Sequence, residues 1–340
     1  MDRRNFLRRL SAGVAGVKLA GSPLAAWAAE TVPDLGRIGY QLDWIKNFQF
    51  VGSYVADHRG YFRRFGLSVD LLNGGPGAPV DPVVVAGVAL VGQSSPDQMG
   101  TAVMQGAPIT CIGANYQRPP FSIISLASKP ILSPHDLAGR KLGIQMHSLI
   151  TWKAFLKLNK IDPATMNVVP VQADPTPLVS GEVDGIFGYA TDQVVELRTA
   201  GYDPHYFLFA DYGYKMFSAT YSVLTASLAD RKKRAQLVAF MKGEVLGWQD
   251  AIADPDFAAK LDVEVYGKGN GLDFKSERQS CIATNDLMVS DDTRKHGLFW
   301  MSPESIEGTL KTLEASGVKI SPDRFTNEIL EEIYQGRATI

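Results

Sequence analysis

One pattern constrains this chain more than any other: short apolar runs alternate with helical periodicity, and the alternation breaks twice. Apolar runs at 37–42, 67–72, 89–92 and 109–113 predict strands. Helical spacing through Phe50, Tyr54 and Val55 up to Gly60, and again at 79–86 and 98–105, predicts helices between them. The pattern stops at Gln117-Arg118-Pro119-Pro120 and resumes with strands at 121–127, 141–145, 168–171, 183–187 and 206–209. Helices at 149–159, at 174–181 and from Asp192 to about Ala200 separate them. It stops again at Asp211-Tyr212-Gly213-Tyr214, where a strand at 221–226 is placed to rejoin the first series. Helices then follow at 232–250, 276–290, 303–316 and 326–336, with Asp254-Pro255 breaking the first. Repeated βα units predict parallel sheets with helices on both faces. The expected fold class is therefore α/β, a two-lobed clamp with two crossovers and a helical C-terminal arm. Residues 29–118 plus 213–340 form lobe 1 and residues 119–212 form lobe 2.

At 340 residues and 45% hydrophobic, the chain has enough apolar material for two such lobes. Its 34 basic and 36 acidic residues nearly cancel, with no basic patch, so nucleic acid is not expected as a partner. Cys111 and Cys281 belong to no Cys-x-x-Cys pair and lie near no spaced histidines, so no metal, redox centre or other cofactor is expected; whether they pair is open.

The first 28 residues have a different character. Arg3-Arg4-Asn5-Phe6-Leu7, a weakly apolar Ala/Gly/Val/Leu stretch and Ala26-Trp27-Ala28 read as a twin-arginine export signal cleaved near Ala28. They hold five basic residues and one acidic one, so the remainder carries a net charge near −6. The expected location is periplasmic.

In parallel sheets, ligands bind beyond the carboxyl ends of the strands. The segments expected there are 43–47, 93–97 and 114–118 in the first series, and 146–148 and 189–192 in the second. They supply Asp43, Trp44, Asn47, Gln93, Ser94, Asp97, Tyr116, Ser148, Tyr189 and Asp192; Phe50 and Tyr214 extend the aromatic set. Trp44, Phe50, Tyr116, Tyr189 and Tyr214 suit stacking on a planar ring, while the polar residues suit reading its edge. Alternatives stand beside this: Trp44 and Phe50 as core, Asn47 as a helix cap, Tyr212 and Tyr214 as hinge packing, Arg118 as a crossover ion pair. Trp248 and Trp300 are assigned to core.

Several segments, taken together, resemble one known family. LDWIKNFQFVGSYVADHRGYFRRFGLSVDLL at 42–72 is similar to the opening of solute-binding proteins related to the thiamine-pyrimidine synthase-like and sulfonate/nitrate-binding superfamily. SPHDLAGRKLGI at 133–144, SGEVDGIFGY at 180–189 and the stretch from Asp291 to Ile320 are similar to its later segments. The resemblance implies a type II periplasmic-binding-protein fold, a small-molecule ligand and an ABC-transporter membrane permease as partner. Pyrimidine binders in the family read Trp-x-Pro-Asn-x-x-His-x-Gly; here Trp44, Asn47 and Gly52 match, while Lys46 and Phe50 replace the Pro and the His.

The expected function is capture of a planar heterocycle, a thiamine pyrimidine precursor or a flavin-like ring, for an ABC importer. The alternative is a synthase of the same fold that makes the pyrimidine from pyridoxal phosphate and its own histidine. That chemistry needs a first-lobe cleft histidine and a cysteine-rich run. No histidine lies between His58 and His135, and Gly213-Tyr214-Lys215-Met216-Phe217-Ser218-Ala219 stands where the cysteine run belongs. A hydrolase is weaker still: Ser94, Ser95 and Asp97 have no His placed to activate a serine, and no Gly-x-Ser-x-Gly elbow occurs. No catalytic residue is assigned.

Overall fold

The computed structural model describes residues 33–75 and 78–340; the expected export signal at 1–28 lies outside the described residues. Among the described residues, ten strands form two five-stranded sheets. The first comprises β1 (Gly36–Gln41), β2 (Leu67–Leu72), β3 (Val91–Ser94), β4 (Ile109–Tyr116) and β10 (Ser218–Leu224), in the order β2-β1-β3-β10-β4. The second comprises β5 (Phe121–Leu126), β6 (Lys141–Ile144), β7 (Asn167–Pro170), β8 (Gly185–Tyr189) and β9 (Pro204–Leu208), in the order β7-β6-β8-β5-β9.

Neither sheet is purely parallel, which corrects the expectation from the βα alternation. In the first, β1 runs parallel to β2 and β3, but β10 is antiparallel to both β3 and β4. In the second, β6 runs parallel to β7 and β8, but β5 is antiparallel to both β8 and β9. The two reversed strands are the first to follow each crossover. A chain leaving one sheet at its carboxyl edge and crossing directly to the neighbouring carboxyl edge can only run back down the new sheet. No α-helix intervenes in either connection, so parallel pairing is not available to it.

The two crossovers, at 117–120 and 209–217, are tied by an ion pair between Arg118 and Asp211. The Arg118 side chain therefore bridges the two connections.

The first core lies between the first sheet and the long helix Arg231–Ala253, with Trp248 1% exposed. Helix Val51–His58 packs on it at close range. A Cβ at Gly247 would stand 2.1 Å from the Gly52 carbonyl oxygen, and one at Gly52 would stand 2.2 Å from the Trp248 ring. Asp254 ends the long helix and caps the next, Pro255–Leu261, by accepting from the Phe257 N–H at 3.0 Å. Asp273 caps helix Phe274–Met288 in the same way, accepting from Ser276. Trp300 is half-buried against the core and stacks on His296. Cys111 and Cys281 are buried free thiols. No helix among the described residues is long and apolar enough to cross a membrane.

Candidate ligand-binding cleft

The first wall is the turn after β1. Gln41 donates from Nε2 to the carbonyls of Leu42 and Asn73, holding the start of the turn to the end of β2. Gly74 lies flat against it, its N–H donating to the Trp44 carbonyl at 3.2 Å. A Cβ on Gly74 would meet the Leu42 carbonyl oxygen at 2.3 Å and the Trp44 nitrogen at 2.6 Å, so only glycine fits. Asn47 ends the turn with extended backbone and accepts from the Gln49 N–H at 3.1 Å, capping the short 3-10 helix Phe48–Phe50. Behind it, Glu277 accepts from the Phe48 N–H at 3.0 Å.

The opposite wall comes from the ends of β6 and β8. Gln145 donates from Nε2 to the Phe187 carbonyl at 2.8 Å. Gln193 accepts at Oε1 from the Tyr189 N–H at 2.8 Å and donates from Nε2 to Asp192 Oδ2 at 2.7 Å. Ser148 is buried at the start of helix Leu149–Leu158.

Between the walls lies a cavity of about 380 Å³, within the range of small-molecule sites. Of the residues expected at the site, Asp43 and Trp44 line it from the first wall, and Ser148, Tyr189 and Asp192 from the second. Among its described lining residues there is no lysine, arginine or histidine. Burial pushes the Asp43 carboxyl up to about 7. Burial does the same to Asp192, with the negative charges of Glu196 and Glu277 adding to it and the bond from Gln193 opposing, to about 7. The Tyr189 hydroxyl is raised by burial.

The other seven expected residues do not line this cavity. Asn47 is 7% exposed and spent on its cap. Phe50 is 1% exposed and faces Tyr54 in the core, so it supplies no second stacking face; the 3-10 turn directs both Phe48 and Phe50 inward. Gln93 and Ser94 are buried in β3 beneath β10, with Ser94 donating to Asp81 Oδ2 at 3.0 Å. Asp97 accepts from the Ser95 hydroxyl and from the Gln98 N–H, serving the first turn of helix Pro96–Met104. Tyr116 is buried at the end of β4. Tyr214 is fully buried at the second crossover, edge-on to Phe121 and Phe209.

Four glutamines line the cavity that sequence reasoning passed over: Gln49, Gln98, Gln145 and Gln193. Phe187 lines it as well. Gln145 had a readable signal, a polar residue directly past the last apolar position of β6. Gln49 and Gln98 each follow within two residues of a position that was expected to bind.

A family model described as NMT1/THI5 like matches residues 47–258. The chain belongs to the NMT1/THI5 like family. Within reach of this NMT1/THI5 like chain is the riboflavin-binding protein RibY of Chloroflexus aurantiacus, 26% identical over 92% of this chain and 91% of that one. The formylaminopyrimidine-binding protein of Halalkalibacterium halodurans is 25% identical over 70% of this chain and 74% of that one. Among solved structures, the periplasmic aliphatic sulphonate binding protein SsuA from Escherichia coli superposes with a TM-score of 0.60 at 15% identity, covering 83% of this chain and 91% of that one. At that identity the likeness shows the fold. This NMT1/THI5 like chain has the two-sheet α/β architecture of periplasmic binding proteins.

Proposed function

We propose that the chain is the extracytoplasmic substrate-binding component of an ABC importer, capturing a small planar heterocycle between two lobes. One observation carries the reading: a 380 Å³ cavity has the aromatic side chains Trp44, Phe187 and Tyr189 and two buried carboxyls, and no cation among its described lining residues. A small oxyanion held there would meet two carboxyls, with no cation among the described lining residues to balance its charge. A neutral or cationic ring finds aromatic faces and polar groups for its edge. The relatives named for riboflavin and formylaminopyrimidine support the same ligand class.

The lobes of this reading are 29–118 plus 213–340 and 119–212, closing on the ligand about the two crossovers. The closed form is what a membrane permease reads. Export through a twin-arginine signal in residues 1–28 belongs to the reading and is checked by fractionation of a chain carrying Arg3→Lys and Arg4→Lys. The synthase alternative is disfavoured by the segment at 213–219. It holds no cysteine, and Tyr214, Met216 and Phe217 are committed to the core.

A thermal-shift screen of the mature chain against 4-amino-5-hydroxymethyl-2-methylpyrimidine, formylaminopyrimidine, riboflavin, alkyl sulfonates and nitrate tests the reading. Stabilisation by a ring compound alone is expected. Stabilisation by the small anions alone overturns it.

A further inference from the structure

We infer that the cleft selects a ring whose edge donates N–H hydrogen bonds, and that Asp43 on one wall and Gln145 on the other are the acceptors that read it. The inference rests on the heterocycle reading above and adds the polarity of the recognised edge.

It comes from following Gln145, Asp43 and Gln193 in the cavity to their partners. The Phe187 carbonyl can only accept, so the Gln145 amide must turn its NH2 group toward it. That contact fixes the orientation of the amide. Its Oε1 is left buried with no hydrogen-bond partner among the described residues. Asp43 lines the facing wall and has one buried oxygen, Oδ1, in the same condition. The neighbouring amide is not available to serve either of them. The Tyr189 N–H can only donate, so Gln193 must offer it Oε1, and its NH2 group is already given to Asp192 and to the Ala173 carbonyl.

Two walls that meet over one cavity thus each hold an acceptor oxygen the protein leaves unpaired. Native folds pair nearly all such atoms, and an acceptor left without a donor weakens the state that buries it. A ligand that brings N–H groups to both oxygens as the lobes close removes that penalty on both sides at once. A ligand that presents only carbonyls or oxyanions to them adds repulsion. The protein's own contacts therefore select the donor pattern of the ring as well as its flatness. An aminopyrimidine NH2 group has an N–H for each oxygen, whereas a flavin imide has a single N–H and serves one of them; the two arms of the test separate these cases.

Calorimetric titration of the mature chain compares riboflavin with 3-methylriboflavin, and 4-amino-5-hydroxymethyl-2-methylpyrimidine with its N,N-dimethylamino analogue. In at least one pair the parent should bind tenfold or more tightly than the methylated compound. Because a methyl group also adds bulk, the same titrations are run on Gln145→Met. The variant should bring the parent's affinity toward that of the methylated compound and leave the latter unchanged. Equal affinity for parent and methylated ring in the native chain overturns the inference while leaving ring capture standing. So does a parent whose affinity is untouched by Gln145→Met. If the variant fails to fold, the comparison on the native chain decides. Binding of neither parent sinks the heterocycle reading, and this inference with it.

Discussion

The Glu277 carboxylate accepts the backbone N–H of Phe48 at 3.0 Å across 229 residues of sequence. It thereby ties the C-terminal helix Phe274–Met288 to the turn that carries Trp44 and Asn47. Glu277 lies near Asp262, whose carboxyl is raised by burial and by the adjacent Glu277. The helical arm is a buttress for the turn that lines the cavity as well as a cover for the first core.

Removing that buttress has a definite expected cost. Glu277→Ala leaves the Phe48 N–H buried without an acceptor and should lower stability by about 1–3 kcal/mol, measured by urea denaturation. Glu277→Gln retains an oxygen for Phe48 and should lose less. Equal losses in the two variants would show that the charge, and not the N–H contact, is what matters.

Gly74 offers a second test of the same turn. An added Cβ would run into the backbone of Leu42 and Trp44, which cannot rotate away as a side chain would. Gly74→Ala should cost about 1–3 kcal/mol of stability and weaken ring binding by displacing Trp44. A variant with native stability and affinity would mean the turn is more compliant than its contacts indicate.

Trp44 lines the cavity from the first wall, and on the proposed reading a planar ligand stacks on its ring. Trp44→Ala should weaken binding of a planar ligand by about 1–3 kcal/mol, the range seen for nucleic-acid bases on aromatic side chains. Phe50→Leu, a change confined to the core, should leave affinity nearly as it was. Titration of both variants with the same ligand decides between the two positions.

Glu244 sets an expectation for pH. It is fully buried, accepts from Ser53 Oγ at 3.0 Å and Tyr221 Oη at 2.8 Å, and burial raises its carboxyl from 4.5 to about 7. The folded chain therefore binds more protons than the unfolded chain between those values. This contribution is fully present below the unfolded value and is lost as pH rises through about 7. Glu244→Gln should remove it, so the native chain loses on the order of 3 kcal/mol relative to the variant between pH 4 and pH 8.5. Urea midpoints across that range measure it, and parallel curves for the two proteins would contradict it.

Much of the fold could be read from the chain because element formation is local. Apolar runs such as Leu67–Leu72 have the length and alternation of a strand whatever packs on them. The breaks at Pro119-Pro120 and at Gly213 mark the crossovers through backbone preferences that act on each residue alone. Arg118 beside the first break was readable as a crossover ion pair, and its partner proved to be Asp211 on the second.

Direction and facing were not readable. Periodicity says that Ser218–Leu224 is a strand; it carries no information on whether its neighbours run with it or against it. That depended on which edge of the sheet the second crossover reaches. The candidate cleft divides along the same line. Sequence alone determined that Asp43, Trp44, Ser148, Tyr189 and Asp192 stand at strand ends, because a strand's end is a local event. Only tertiary structure decided that Phe50 and Tyr214 turn into the core and that Gln145 and Gln193 line the cavity. A side chain's surroundings are set by segments distant in the chain, and a glutamine's amide is oriented by whichever backbone group those segments bring against it.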